Sequence, residues 1–290
     1  MISEPLKQKT HRLKAILQGC GRAVVAFSGG VDSTLLAKLA RDVLGKSNAL
    51  AVTADSPSLA REDLEDAKRL ARQLDLEHLV IVTKEVSNPA YRSNTAGRCY
   101  FCKRELFEEL DALARERQMA VVLYGAIGDD QPSERPGQRA ALERGVRAPL
   151  QEVGLTKREV RELAKSFGLP NWNRPQNACL SSRIPHGFEV TEEKLKQIEL
   201  AESVLRNLGF RQVRVRHVGD HARIEVGREE VARFQDPALC ESVFKQFEAL
   251  AFRSVGVDRA GYRPGGANHT PDEMLLELGR RSSAVRAGES

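Results

Sequence analysis

The sequence predicts an α/β protein: a parallel sheet with helices on both faces, followed by a small α+β domain. Three observations carry this prediction. The first half alternates short apolar runs with amphipathic stretches, the rhythm of βα units. The first apolar run ends in a glycine turn, Ser28-Gly29-Gly30-Val31-Asp32-Ser33, that leads into the next amphipathic stretch. Beyond Phe188 the period changes to two, in strands that alternate apolar and charged residues.

In chain order, Met1–Cys20 is a polar amphipathic stretch (Leu6, Leu13, Ile16, Leu17) without the apolar core of a signal peptide. Val24–Phe27 reads as a strand and Thr34–Leu44 as the helix after it, with Leu35, Leu36, Leu39 and Ala40 apolar. Leu50–Thr53 precedes a helix near Leu59–Leu74, and His78–Val82 precedes a loop and a helix near Lys103–Arg117. Ala120–Tyr124 is the fourth strand. Sites in such sheets lie at the carboxyl ends of the strands. Three chemically interesting segments follow strand ends: Ser28–Ser33, Asp55–Ser58 and Gly125–Asp130. Thr156–Phe167 reads as a helix, with a capping box of Thr156 and Glu159 and a stop at Gly168 and Pro170. Asn171–Gly187 reads as a loop.

After it, Thr191 opens a helix carrying Leu195, Ile198, Leu205 and Leu208. In Gln212–His217, Val213 and Val215 share one face and Arg214 and Arg216 the other. In His221–Val226, Ala222, Ile224 and Val226 oppose Arg223 and Glu225. Their polar face reads as solvated. Helical stretches at Glu229–Phe234 and Ala238–Ala249 lead to a last strand, Arg253–Val257. These readings divide the chain into residues 1–187, 188–270 and a polar tail, 271–290, expected to fray.

The 290 residues suffice for a real core, and the formal charge of +5 suits a phosphate-bearing substrate. No dense Lys/Arg tract argues for nucleic acid, and no apolar run is long enough to span a bilayer. Five cysteines (Cys20, Cys99, Cys102, Cys179 and Cys240) point to the reducing cytoplasm and to reactive or metal-bound thiols, not to a disulfide framework.

In the glycine turn, Gly29 and Gly30 let backbone approach an anion, and a following helix N-terminus favours negative charge. Ser28 and Ser33 add hydroxyls. Asp32 would repel a phosphate unless a cation intervened, so it is a candidate Mg²⁺ partner or a cap of the turn. The segment lacks the Gly-Lys-Ser/Thr ending of a Walker A loop. It resembles the pyrophosphate loop (PP-loop, SGGxDS) of the ATP pyrophosphatase superfamily. That resemblance implies ATP as substrate, attack at its α-phosphate, adenylylation of an oxygen and release of pyrophosphate. An ordinary strand-to-helix turn is the alternative.

Cys99-Tyr100-Phe101-Cys102 lies just ahead of the predicted helix, and Cys179 lies in Asn177-Ala178-Cys179-Leu180-Ser181-Ser182-Arg183. The Cys-x₂-Cys spacing lets two thiolates reach one metal. Without a second pair, three soft ligands suit an iron–sulfur cluster better than a closed zinc site. On spacing alone, buried small hydrophobes explain Cys99 and Cys102 equally well. Cys20 and Cys240 read as structural.

Three further stretches carry a closer resemblance: Arg174–Gly187, Arg135–Ala141 with Arg147-Ala148-Pro149-Leu150, and Lys157–Leu163. With the PP-loop they resemble the LarE-type ATP-dependent sulfur transferases over nearly the whole chain. The resemblance implies a small-molecule nucleotide substrate, pyridinium-3,5-biscarboxylic acid mononucleotide. Its carboxylates would be adenylylated and converted to thiocarboxylates in nickel-pincer nucleotide biosynthesis. It also implies homo-oligomers, and leaves the sulfur donor unnamed. In one version of the family a lone cysteine gives up its sulfur; in the other, three cysteines hold a 4Fe-4S cluster. Cys179 matches the position common to both, and Cys99 and Cys102 match the additional pair. The resemblance therefore implies the cluster version, with a sacrificial Cys179 as the runner-up.

Site roles follow from this resemblance. Ser28, Gly29, Gly30, Val31, Asp32 and Ser33 hold pyrophosphate and Mg²⁺. Asp55 or Ser56 touches the adenosine, with turn chemistry as the alternative. Ser182 and Arg183, close to Cys179, clamp the substrate phosphate, with a surface ion pair as the alternative. Arg214 and Glu225 are candidates to complete the substrate site. The family's Gly-Thr-Asn before the acidic pair is replaced by Gly125-Ala126-Ile127-Gly128, which leaves Asp129 and Asp130 between a nucleotide role and a solvated turn. Asp130 is kept as a nucleotide-binding candidate. His186 and His217 are given no role. The rivals are a PP-loop tRNA thiolase, an amidating PP-loop ligase and a nucleotide-responsive iron–sulfur scaffold.

Overall fold

The structure, a computed structural model, describes residues 2–130, 136–175, 177–263 and 275–280. The chain forms two compact units, Met1–Ala178 and Cys179–Ser290.

The first unit contains α1 (Glu4–Cys20), β1 (Ala23–Ala26), α2 (Val31–Leu44), β2 (Ala49–Asp55), α3 (Arg61–Gln73) and β3 (Glu77–Val82). It continues through α4 (Pro89–Arg92), α5 (Arg98–Glu116), β4 (Val121–Leu123), α6 (Pro136–Glu143), α7 (Pro149–Glu152) and α8 (Lys157–Ser166). The strands lie in the order β3-β2-β1-β4, and all pairs are parallel. Val24 aligns with Leu50 on one side and Val122 on the other.

Alternation along β1 and β2 sends side chains to two separate cores. Ala23, Val25, Phe27 and Ala51 pack with α1, α2, α3 and α8. Val24, Leu50, Val52 and Val122 pack with Phe107, Leu110 and Ala140 of α5 and α6. Helices therefore cover both faces, as the unbroken apolar character of β1 requires. The chain moves from β1 outward to β3, then returns through α5 to place β4 beside β1. That reversal is a topological switch point, where the strand ends open a crevice.

Helix α5 begins at Arg98, earlier than the sequence predicts, so Cys99 sits in its first turn and Cys102 at the start of its second rather than ahead of it. Turn bonds from Arg98 N–H to Thr95 C=O (3.0 Å) and Tyr100 N–H to Gly97 C=O (2.9 Å) start the helix without a capping side chain. Helix α8 carries the predicted capping box between Thr156 and Glu159.

The second unit contains α9 (Glu192–Asn207), β5 (Val213–Val218), β6 (His221–Val226), α10 (Pro237–Ala249), β7 (Ser254–Asp258) and β8 (Leu275–Arg280). Its sheet runs β5-β6-β7-β8, with β6 and β7 parallel and the other pairs antiparallel. Val213, Val215, Ile224, Val226, Val243 and Phe247 fill its core.

Three expectations change. Residues 275–280, read as frayed tail, form β8 and pair with β7; residues 271–274 and 281–290 lie outside the described set. The helical stretch at Glu229–Phe234 is a 3-10 segment, Arg228–Gln235. The division of the chain falls before Cys179, ahead of Phe188. The 3-10 turn Leu180–Arg183 buries Leu180, Ser181 and Arg183, and Arg183 binds Glu202 of α9, which ties the segment to the second unit. Among the described residues no helix is long and apolar enough to cross a membrane.

Candidate active site

The turn after β1 is built as an anion cradle. Gly29 has φ of 72°, and a Cβ there would meet Ala67 of α3 at 3.2 Å, so both backbone and space demand glycine. The first intrahelical bond of α2 runs from Thr34 N–H to Gly30 C=O (2.9 Å). The N–H groups of Val31, Asp32 and Ser33 precede it at the positive end of the helix dipole. Ser28 N–H donates to Ser33 Oγ (3.2 Å), and Ser33 Oγ donates to Gly30 C=O (3.1 Å). These bonds preset the loop.

Asn171, in the loop after α8, was not singled out from sequence. Its Nδ2 donates to Gly29 C=O (2.9 Å) and Thr34 Oγ1 (3.0 Å), tying the glycine turn down from outside. Nothing in a polar loop marks one asparagine from another, so this contact is legible only in three dimensions.

Asp32 and Lys157 form the second feature. Lys157 Nζ lies 2.8 and 2.7 Å from the two carboxylate oxygens of Asp32. Burial pushes the Asp32 carboxyl above its usual range, the Lys157 bond opposes this, and the Asp130 charge adds to the rise. Lys157 is the first residue of α8, and its N–H donates to Asp129 (2.6 Å). Asp129 thus helps cap α8, which positions the Asp32 partner. Asp130 accepts from Ile127 N–H (3.2 Å), and its carbonyl accepts from Gln138 (3.2 Å) and Gln151 (2.7 Å). Both members of the acidic pair thus accept backbone N–H groups at this corner, with Asp129 exposed and Asp130 half-buried. Gly125 lets this corner approach α2: a Cβ there would stand 2.9 Å from Ser33 N.

A cavity of about 480 Å³ opens at these strand ends, lined by Ser28, Gly30, Asp32, Ser33, Gly125 and Asp130. Val52, Thr53, Ala54 and Leu59 form an apolar side, Tyr124 another, and Cys99, Lys103 and Leu106 of α5 face in with Gly137 and Gln138 of α6. Burial raises the Tyr124 phenol pKa. Asp55 and Ser56 are occupied elsewhere. Asp55 pairs with Arg61 (2.6 Å), and Ser56 bonds Ser58 (2.9 Å), which donates to buried Glu85 (2.7 Å). Thr53, Ala54 and Leu59 make the wall at that point instead.

The thiols have distinct settings. Cys99 is exposed and lines the cavity, whereas Cys102 is half-buried. Cys179 is exposed; its carbonyl accepts from Ser182 Oγ (2.7 Å) and Arg183 Nη1 (2.8 Å). Among the described residues no group of three or more His, Cys, Asp or Glu side chains stands close enough to hold a metal ion. Cys20 is buried, its thiol bonded to Ile16 C=O (3.3 Å) and its pKa raised by burial. Cys240 bonds Phe234 C=O (3.1 Å).

In the second unit the predicted solvated face is instead a buried charge network. Arg183 and Glu202 are each 2 % exposed and meet at 2.9 Å; this is no surface ion pair. Glu202 also accepts from Val215 N–H (3.1 Å). Glu225, 1 % exposed, binds Arg216 (2.7 Å) and Arg223 (3.1 Å). The register sets Arg214 opposite Glu225 and Arg216 opposite Arg223, and Arg216 reaches the Ser182 carbonyl (3.0 Å). The Leu180–Arg183 turn thus closes this face, which alternation alone could not reveal. Burial lowers the Arg214 pKa, and the Arg183 charge lowers it further. Guanidinium groups outnumber carboxylates here, which suits an anionic ligand. His217 is buried and bonded to Gln197 (2.7 Å).

Comparison with known proteins agrees with this geometry. A family model described as NAD synthase matches residues 6–127. An uncharacterized protein of Synechocystis is 46% identical over 264 residues, covering 91% of this chain and 98% of that protein. The pyridinium-3,5-bisthiocarboxylic acid mononucleotide synthase of Lactiplantibacillus plantarum is 38% identical over 271 residues, covering 93% of this chain and 98% of that enzyme. A tRNA-specific 2-thiouridylase of Rhizobium johnstonii is 32% identical over 190 residues, 51% of this chain and 46% of that enzyme.

Proposed function

The chain belongs to the family of the pyridinium-3,5-bisthiocarboxylic acid mononucleotide synthase, and on that premise we propose that it is an ATP-dependent sulfurtransferase acting on pyridinium-3,5-biscarboxylic acid mononucleotide. The observation that carries this reading is the preset glycine cradle at the α2 N-terminus, open to a cavity whose far wall bears Cys99.

A carboxylate is a poor acyl donor. Its oxygen attacks the α-phosphorus of ATP, pyrophosphate leaves, and the acyl adenylate then carries a good leaving group. A sulfur nucleophile attacks the acyl carbon, AMP departs and a thiocarboxylate remains; the second carboxylate follows the same course. Ser28, Gly30, Ser33 and the first N–H groups of α2 hold the pyrophosphate. Val52, Thr53, Ala54 and Leu59 receive the adenosine. Ser182, Arg183, Arg214 and Glu225 form the substrate subsite, where excess guanidinium charge meets the monoester phosphate.

Two groups that the structure does not carry fit donors present in it. Asp32 and Asp130 line one cavity and offer the oxygen ligands that Mg²⁺ prefers; bound there, it would offset phosphate charge. Cys99, Cys102 and Cys179 would hold a 4Fe-4S cluster, for which thiolates are the fitting donors, and which would supply renewable sulfur. A second reading, in which Cys179 gives up its own sulfur, is favoured by one observation: the Cys179 thiol is exposed, as a sulfur donor must be. The reaction belongs in the reducing cytoplasm, in a homo-oligomer whose mass light scattering would report.

Anaerobic purification separates these readings. Iron and acid-labile sulfide in 4Fe-4S proportion, lost in Cys99→Ala, with product exceeding protein, support the cluster. Iron-free protein after reconstitution, product capped at one sulfur per chain and dehydroalanine at position 179 support the sacrificial route. No ATP-dependent thiocarboxylate in any preparation overturns the assignment.

A further inference from the structure

Adenylylation is an in-line displacement: the attacking oxygen approaches the α-phosphorus opposite the departing pyrophosphate. The cradle for pyrophosphate belongs to the α2 side of the sheet, whose core contains Val25, Leu35 and Leu39. An acceptor carboxylate arriving from the other layer, where α5 and α6 pack on Val24, Val52 and Val122, would approach the α-phosphorus from the side away from the cradle. That wall of the cavity presents one cation among the described residues, Lys103 of α5.

Lys103 is placed for such a role. No carboxylate lies within ion-pair reach of it among the described residues, whereas Lys157 is paired with Asp32 and Arg61 with Asp55. Its stem is held in the seam between α5 and α6: a Cβ on Gly137 would stand 3.0 Å from Lys103 Cγ. Its Nζ lies 5.7 Å from the Phe107 ring centroid. An ammonium on a cavity wall with no counter-ion among the described residues suits an anion brought in by the ligand.

Resting on the function proposed above, we propose that Lys103 is a catalytic residue that binds the substrate carboxylate and holds it in line with the α-phosphorus. The ionised carboxylate oxygen forms the new P–O bond. The bond from phosphorus to the oxygen bridging to the β-phosphate breaks, and pyrophosphate leaves with the electron pair. No proton moves, and Lys103 stays an ammonium throughout. The carboxylate thereby keeps its charge and orientation without competing for the loop that holds pyrophosphate.

The test compares wild type, Lys103→Met and Lys103→Arg in three measurements: calorimetric binding of ATP, calorimetric binding of the pyridinium biscarboxylate mononucleotide, and substrate-dependent ATP–pyrophosphate exchange. A circular-dichroism melt establishes that each variant is folded. The expected result for Lys103→Met is ATP affinity within about threefold of wild type, roughly tenfold weaker substrate binding and exchange reduced about 100-fold. Lys103→Arg recovers part of the loss. ATP affinity that falls as much as exchange overturns the assignment to the carboxylate, as does exchange at the wild-type rate. Wild-type protein that binds no biscarboxylate overturns both this role and the proposed substrate. Wild-type protein that binds it and exchanges pyrophosphate, matched by Lys103→Met, overturns the Lys103 role alone.

Discussion

Gly125→Ala adds one methyl group where the end of β4 meets the first turn of α2. That methyl would stand 2.9 Å from Ser33 N, 3.1 Å from Ser33 Cα and 3.2 Å from the Asp32 carbonyl carbon. Comfortable contacts of this kind lie near 3.5 Å or beyond, so the α2 N-terminus must retreat by about half an ångström. All three atoms are backbone, and none can rotate away. Overpacking of this kind costs about 1–3 kcal/mol, which corresponds to a melting temperature lower by roughly 3–10 °C. The functional cost is larger in proportion. The N–H groups that move are those proposed to hold pyrophosphate, and a misplacement near 1 Å costs about 100-fold in rate, so roughly tenfold is expected here. Gly19→Ala is the control: it lies exposed in α1 with nothing within 4 Å of the new Cβ. It should raise stability by up to about 1 kcal/mol. The assays are thermal melting, ATP calorimetry and pyrophosphate exchange. A Gly125→Ala protein with wild-type melting and exchange refutes the view that this close approach sets the cradle.

Glu202→Ala leaves the Arg183 guanidinium buried without its carboxylate, and urea titration should show a loss of about 3–5 kcal/mol. Cys179→Ser should keep pyrophosphate exchange within about threefold of wild type while mass spectrometry detects no thiocarboxylate. His217 titrates at about 4 in the fold because burial disfavours its charged form. The unfolded chain takes up that proton near 6.5. Stability is therefore full above pH 6.5 and declines as pH falls toward 4, by roughly 3 kcal/mol at most. His217→Gln should flatten the urea midpoint measured across that range, and an unchanged slope would remove His217 as the cause.

The chain made some features legible and hid others for definite reasons. The unbroken apolar runs Val24–Phe27 and Leu50–Val52 mark a doubly covered sheet because neither face of these strands carries a polar side chain. The Thr156 and Glu159 box marks the start of α8 because capping is local in sequence. The strand Leu275–Arg280 escaped because its short polar-flanked pattern gains meaning only from pairing with β7. Burial of Glu225, Arg216 and Arg223 escaped for a related reason: period two distinguishes one face from the other without saying what covers the polar one. Lys157 stood in a motif the resemblance singled out, yet its partner Asp32 is distant in sequence. Asp129, in an exposed turn, also accepts from the first N–H of α8, a contact that a Gly-Asp-Asp corner does not carry in its letters.

The return of the chain to β1 bears on how the protein comes into being during synthesis. Ala23 of β1 joins Ala49 of β2 early, but its other neighbour, Val121 of β4, is translated only after β3 and the whole of α5. Closing so long a loop is entropically costly and slow. A ribosome-bound chain that ends after β3 already carries the glycine loop, yet lacks Gly125 against α2, Asn171 on Gly29 and Lys157 on Asp32. Nucleotide affinity is thus acquired late in translation, and truncated products released before residue 171 should neither trap ATP nor compete for it.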